Sequence, residues 1–249
     1  MIRTGIGGWI YPPWRGGNFY PAGLPQKGEL EYASRHVGAI EINSTFYKLQ
    51  SAELYRRWRE QVPEGFVFAI KGSRFIINRK DLRTAEGAFG KFFAQGFEEL
   101  GEALGPILWQ LAATKTFDGE ELAAFFELLP RKLGKLKLRH AIEARHESFA
   151  CAEFIEVAKR ANVAIAYVED DAESPTISER TADFAYMRCK RLRKDCPTGY
   201  PPDQLERLGK LCRKWGKGGE VFTFFIDGEA KERAPAAAMA LADKLKGSA

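Results

Sequence analysis

Histidine and cysteine are scarce in this chain, at three and four residues. The cysteines, Cys151, Cys189, Cys196 and Cys212, form no C-x-x-C pair and no metal-like grouping with histidine, which argues against a zinc-binding framework. They read as reduced thiols of a cytosolic protein. No apolar run is long enough to span a bilayer. The opening Met1-Ile-Arg-Thr-Gly-Ile-Gly-Gly is not a charged-then-apolar leader. The expectation is therefore a cytoplasmic protein with no membrane partner. No Gly-x-Gly-x-x-Gly turn leads into a helix, which disfavours an open, doubly wound sheet. Proline and glycine are scattered, so no linker divides the chain, and residues 1–249 are expected to form a single domain.

What is present is a hydrophobic content of 45%, enough for a sizeable core, and a net charge of +5 with a sequence pI of about 8.9. A mildly basic balance hints at an anionic partner and decides nothing more.

The chain is organised around Gly38-Ala-Ile-Glu-Ile-Asn-Ser-Thr-Phe-Tyr47. A strand sends successive side chains to opposite faces, so Ile40 and Ile42 share one face and Ala39, Glu41 and Asn43 the other. A carboxylate near a strand end, followed by hydroxyls and aromatics, fits the mouth of a parallel barrel. The phrase recurs as His140-Ala-Ile-Glu-Ala-Arg145, with Glu143 in the place of Glu41 and Arg145 in that of Asn43. The bland reading is that both glutamates are solvated or locally paired.

Eight strand-like segments alternate with helix-like ones: Ile2 to Gly8, the organising stretch, Phe66 to Lys71, Ile107 to Leu111, the stretch ending at Glu143, Val163 to Val168, Asp183 to Arg188, and Glu220 to Asp227. Helical patterning is expected over about Lys27 to His36, after an N-cap at Ser51, over a long stretch from about Glu86 to Leu104 stopped by Gly105-Pro106, and from Asp118 to Leu129. It is expected again over about Ser148 to Ala161, Pro202 to Trp215 and Pro235 to Leu245. Each strand-plus-helix unit averages about 31 residues, the size of a βα repeat. The fold class is α/β, a TIM-like (β/α)8 barrel of parallel strands with outer helices.

In such a barrel the loops after strands form the active face. The Lys132–Lys137 run precedes a strand and reads as a solvated turn on the opposite face. The loops after the third and seventh strands place Arg74, Arg79, Lys80 and Arg83, and Lys190 to Lys194, on the active face. Trp9, Tyr11, Trp14, Phe46, Tyr47 and Phe75 join them, so cations alternate with aromatics, as a site for phosphate and a ring requires. The bland alternative is a lid that packs on itself. Candidate catalytic residues are Glu41, Glu143, Lys71 and His146; His146 is equally suited to capping or packing. Candidate substrate-binding residues are Trp9, Tyr11, Trp14, Asn43, Tyr47, Arg74, Gln110, Arg145, Arg188 and Asp227. Arg145 and Lys71 are the cations expected to pair with the two glutamates. Asp170 with Glu41 and Glu143 would suit a divalent metal, but neither glutamate has a histidine at ligand spacing, so no metal is assigned and the cofactor stays open.

These residues, taken in order, resemble the YecE-like family of barrel proteins known chiefly as a domain of unknown function. The resemblance rests on Gly8-Trp9-x-Tyr11-x-x-Trp14-Arg15-Gly16, Glu41-Ile-Asn43-x-Thr45-Phe46-Tyr47, Phe68-Ala69-x-Lys71-x-x-Arg74, Gln110-Leu111, Glu143-x-Arg145-His146 and Tyr186-x-Arg188. It implies a TIM-barrel-like fold and names no reaction. The chain departs from the pattern at Asn78, at Leu111-Ala-Ala113, at Cys189-Lys-Arg-Leu-Arg and at Ile226 and Asp227, all following strands.

Three functions fit. The first is an enzyme, with phosphoester hydrolysis as its reaction class, acting on a phosphate-bearing or nucleic-acid-like anion held by Lys71, Arg74, Arg145 and Arg188. The second is a glycoside hydrolase-type enzyme using Glu41 and Glu143, with tryptophans stacking on sugars. The third is a non-catalytic nucleic-acid-binding protein, whose binding would be salt-dependent and would survive loss of both glutamates.

Overall fold

The computed structural model describes residues 1–169, 175–226 and 228–247. Nine parallel strands form one sheet: β1 (Ile2–Gly7), β2 (Ala39–Ile42), β3 (Val67–Lys71), β4 (Leu104–Gln110), β5 (His140–Glu143), β6 (Ala164–Ile165), β7 (Tyr167–Glu169), β8 (Phe184–Cys189) and β9 (Glu220–Phe225). The order is β6-β5-β4-β3-β2-β1-β9-β8-β7. The two ends of this order, β6 and β7, are consecutive pieces of one strand separated by Ala166 alone, β6 pairing with β5 and β7 with β8. The sheet thus comes round on itself as an eightfold barrel, as the alternation of strands and helices predicts. The Lys132–Lys137 run forms a small antiparallel hairpin.

Strand parity decides what fills the interior. Ala39, Ala69, Ala141, Ala164 and Ala166 face inward from β2 to the β6–β7 junction, while Phe184, Tyr186, Phe222 and Phe224 come from β8 and β9. The aromatics of the last two strands therefore occupy space that the alanines leave. Gly5 belongs to the same arrangement, because a Cβ there would run into the Ala39 carbonyl and touch Phe224.

Around the barrel lie α1 (Glu29–His36), α2 (Ser44–Tyr47), α3 (Ala52–Gln61), α4 (Arg74–Ile77), α5 (Glu86–Phe93), α6 (Gly119–Glu127), α7 (Ala152–Arg160), α8 (Pro202–Gly216) and α9 (Ala234–Lys246). Ser51 and Asp118 cap α3 and α6, accepting from the backbone N–H of Leu54 and Glu121. The expected long helix from Glu86 to Leu104 is corrected. It stops at Phe93, Gly96 turns left-handed at φ 94°, and a 3-10 segment with a kink at Gly101 follows. Gly105-Pro106 does not stop a helix; it lies inside β4, where the pairing with β3 slips by a bulge that accommodates proline.

His140 is buried on the outer side of β5, with its Nε2 2.7 Å from the Pro130 carbonyl oxygen, and its Nδ1 accepts from Trp109 Nε1 at 3.2 Å. Burial pushes its pKa down to about 4, against a smaller opposing effect of the Pro130 bond. The unfolded chain then takes up a proton before the native one does. Stability is therefore expected to be full above about pH 6.5 and to fall by about 3 kcal/mol as pH drops towards 4. Denaturation midpoints measured across that window should lose this slope in His140→Phe.

Candidate active site

Glu41 ends the inward face of β2, and Glu143 that of β5. Both are fully buried, as is Arg188 near the end of β8. The Arg188 guanidinium joins them. Its Nε donates to Glu41 Oε2 at 3.1 Å, its Nη2 donates to Glu41 Oε1 at 2.9 Å, and its Nη1 donates to Glu143 Oε2. A planar fork can serve one carboxylate bidentately and still reach a second, which an ammonium cannot do. Tyr186, two residues earlier on the same face of β8, donates to Glu41 Oε2 at 2.8 Å. Glu143 Oε1 accepts from Gln110 at 2.8 Å and from Lys190 at 3.3 Å.

The result is a layer of two carboxylates and one guanidinium, with Lys190 adding the second positive charge. Burial by itself would raise the Glu143 pKa, but Arg188 and then Lys190 outweigh it and hold the group at about 2. Burial also opposes the charge on Arg188, yet Glu143 and Glu41 together push its pKa above the usual arginine value. Burial, then Glu41, carry the Tyr186 phenol well above its ordinary range. This layer lies wholly buried at the C-terminal ends of β2, β5 and β8, a floor beneath the loops that follow those strands.

The rim carries the other candidates. The Lys71 ammonium lies 4.6 Å from the centre of the Phe46 ring. Arg74 is exposed and lies 5.7 Å from the Tyr47 ring and 5.3 Å from that of Phe75. Lys231 lies 5.2 Å from the Tyr11 ring. Asn43 and Arg145 are half-buried just past the ends of β2 and β5. His146 caps the 3-10 turn Glu147–Phe149, accepting from Ser148 N–H through Nδ1 at 3.2 Å. Trp14 is buried in the loop after β1 and donates to the Lys231 carbonyl at 3.1 Å, while Trp9 packs edge-on against Trp58. Both hold that loop against the barrel.

The glutamate partner expected among Lys71 and Arg145 is supplied by Arg188. Tyr186, noted in the sequence only as part of a motif, and Lys190, noted only as part of a basic loop on the active face, are site members to which sequence reasoning gave no role of their own. The available signal was their spacing, since Tyr186, Arg188 and Lys190 alternate along one face. Asp227 and Asp170 lie outside the described residues. Among the described residues no three of histidine, cysteine, aspartate and glutamate are grouped as a metal site.

The match to known proteins agrees with the barrel fold. The family described as "Protein of unknown function DUF72" matches residues 3–249. The chain belongs to the DUF72 family. The UPF0759 protein YecE of Escherichia coli K12 is 30% identical over 149 residues, 60% of this chain and 50% of YecE. The UPF0759 protein YunF of Bacillus subtilis is 30% identical over 76 residues, 28% of this chain and 24% of YunF. The matches thus span at most about half the length of these relatives. A DUF72 family protein of Thermotoga maritima superposes with a TM-score of 0.80 at 21% identity over 99% of both chains. One from Enterococcus faecalis gives 0.75 at 16% identity, over 100% of this chain and 96% of that one. A D-psicose 3-epimerase crystallised with D-fructose gives 0.58 at 13% identity, over 99% of this chain and 100% of that one. At these identities the likeness is one of fold. No helix among the described residues of this DUF72 chain is long and apolar enough to cross a membrane.

Proposed function

We propose that this DUF72 protein is an enzyme acting on a phosphate-bearing, nucleic-acid-like anionic substrate at the mouth of its barrel, with phosphoester hydrolysis as the reaction class. The observation that carries the reading is the layering of charge: the rim cations Lys71, Arg74 and Arg145, with Lys190, stand around a carboxylate–guanidinium floor. Cations fixed at a site with a low-dielectric base stabilise negative charge that develops on a transferring group. A carboxylate with a pKa near 2 is a poor partner for proton exchange near neutrality, so Glu143 serves as a fixed charge that orients Arg188, Lys190 and Gln110. Proton transfer then falls to Lys71 or His146.

The test is a thermal-shift screen with inorganic phosphate, nucleotides, sugar phosphates, neutral sugars and divalent metals. A phosphate-bearing ligand at about 100 times its dissociation constant should stabilise the protein by about 2.7 kcal/mol. Lys71→Ala should remove most of that gain. Stabilisation by neutral sugars alone would overturn the reading in favour of carbohydrate chemistry.

A further inference from the structure

The loops that follow β1, β2 and β3, residues 8–28, 43–51 and 72–80, contain no aspartate or glutamate, although the chain has 33 of them. They contain Arg15, Lys27, Lys48, Arg74, Arg79 and Lys80. Of these, Arg15 is committed to the buried Glu29. Because β1, β2 and β3 are neighbours in the sheet, these loops lie side by side on the mouth. By contrast, the segments that follow β7 and β9 in the sequence hold Asp170, Asp171, Glu173, Asp227, Glu229 and Glu232. The loop after β8, which lies between β7 and β9 in the sheet, is itself basic with Lys190, Arg191, Arg193 and Lys194. The stretches 8–28, 43–51 and 72–80 differ in holding cations with no carboxylate of their own, the next one after residue 80, Asp81, being paired with Arg83.

Apart from Met1 at the first position, the large apolar side chains exposed among the described residues lie in these three loops. Ile10, Tyr47, Leu49 and Phe75 are 56%, 58%, 48% and 62% exposed. Burial would have been the default for such side chains. Arg74 stands between two of these rings, near Tyr47 and Phe75. Arg79 fixes the loop by donating to the Phe75 carbonyl at 3.0 Å. Alongside lies a cleft of about 280 Å³ lined by Trp9, Ile10, Asn43, Lys48, Gln50 and Trp58 among others.

We propose that this basic, aromatic crescent binds single-stranded nucleic acid, its bases stacking on Tyr47, Arg74 and Phe75 while Lys48, Lys80 and Arg74 track the phosphates. Exposed rings interleaved with cations match the two faces of an unpaired strand, which offers flat bases and a charged backbone. A duplex hides those bases and would meet the cations alone. The inference rests on the reading of the mouth as an anion site, and names the chemical class of chain that leads into it.

The test is fluorescence anisotropy with a labelled single strand of about 12 nucleotides, within the span such sites occupy. Its duplex, an abasic strand of equal length and inorganic polyphosphate serve as competitors. The single strand should bind best, with affinity falling steeply as salt rises. Tyr47→Ala and Phe75→Ala should each weaken it about tenfold, without weakening the abasic strand. Both side chains are exposed, so both variants should fold. Arg74→Ala should weaken both ligands. Equal binding of abasic strand or polyphosphate, or indifference to Tyr47→Ala and Phe75→Ala, would overturn the stacking platform. A phosphate-induced thermal shift that is lost in Lys71→Ala but kept in Phe75→Ala would then show that the mouth reading stands without it. Absence of both signals would overturn both.

Discussion

Arg188→Ala is expected to destabilise the protein by about 3–5 kcal/mol, the range for stripping a buried charge of its partner. Glu41 and Glu143 are both fully buried and share this one guanidinium. Tyr186, Gln110 and Lys190 stay behind but do not replace a charge in the same plane. Without Arg188 the two carboxylates repel one another in a buried layer, and the main cause that holds the Glu143 pKa down is gone, leaving burial to raise it. The sign follows: the deficit of the variant should be greatest near neutral pH and shrink as pH falls and the carboxyls take up protons. Wild type should behave in the opposite way, losing the Glu143 contribution as pH drops from about 4.5 towards 2. Urea denaturation at several pH values measures both. Arg188→Lys should fall between wild type and alanine, since an ammonium cannot serve both carboxylates as a fork does. The triple change Glu41→Gln, Glu143→Gln, Arg188→Met should regain much of the lost stability, because it removes the charges together. A stable Arg188→Ala with no pH dependence would refute this account of the floor.

Trp109→Ala should cost a similar amount, about 3–5 kcal/mol. Trp109 is fully buried on the outer face of β4. Its ring meets Phe89, Phe92 and Phe125 at centroid distances of 5.5, 5.5 and 5.9 Å. Gly72 passes so close that a Cβ there would enter the indole. The indole N–H also supplies the donor to His140 Nδ1. Removal thus leaves a cavity and an unsatisfied buried nitrogen together. Trp109→Phe keeps most of the ring and should cost distinctly less. The check is the urea midpoint at unchanged slope, which isolates stability from changes in compactness. Gly72→Ala tests the same packing from the other side and should also destabilise, because the backbone at Gly72 has no room to yield to the ring.

Much of the architecture can be read from local pattern. Periodicity of two puts Glu41 and Glu143 on inward faces, and the repeated strand-plus-helix unit closes the barrel. Caps at Ser51 and Asp118 follow from residue type alone. What escaped is what depends on distance across the barrel. Nothing local to Arg188 says that its fork meets β2 and β5 at once, because β8 is separated from both in the sequence and the meeting depends on strand tilt and register. The misjudged helix has a local cause of another kind. Phenylalanine and leucine keep a helical rhythm through Gly96 and Gly101, while the left-handed backbone at those glycines breaks it. The YecE-like resemblance, carried by short motifs along the chain, pointed to the family that the full match shows. Those motifs gather at the mouth, where backbone position is easier to infer than which side chain reaches which.

The lopsided filling of the barrel bears on how the chain can assemble as it is made. Residues up to Ala166 contribute mainly alanine and glycine to the interior, and β1 finds one of its two neighbours only in β9, where Ile2 pairs with Val221. A nascent chain that has emerged through β7 still lacks Phe184, Tyr186, Phe222 and Phe224, and therefore the bulk of its inner core. Its two carboxylates likewise wait for Arg188. Such a chain has outer helices to pack but no reason to close, so closure is a late event tied to the arrival of the last quarter of the polypeptide. Contacts of this sequence separation make folding slow and leave strand edges open in the interval.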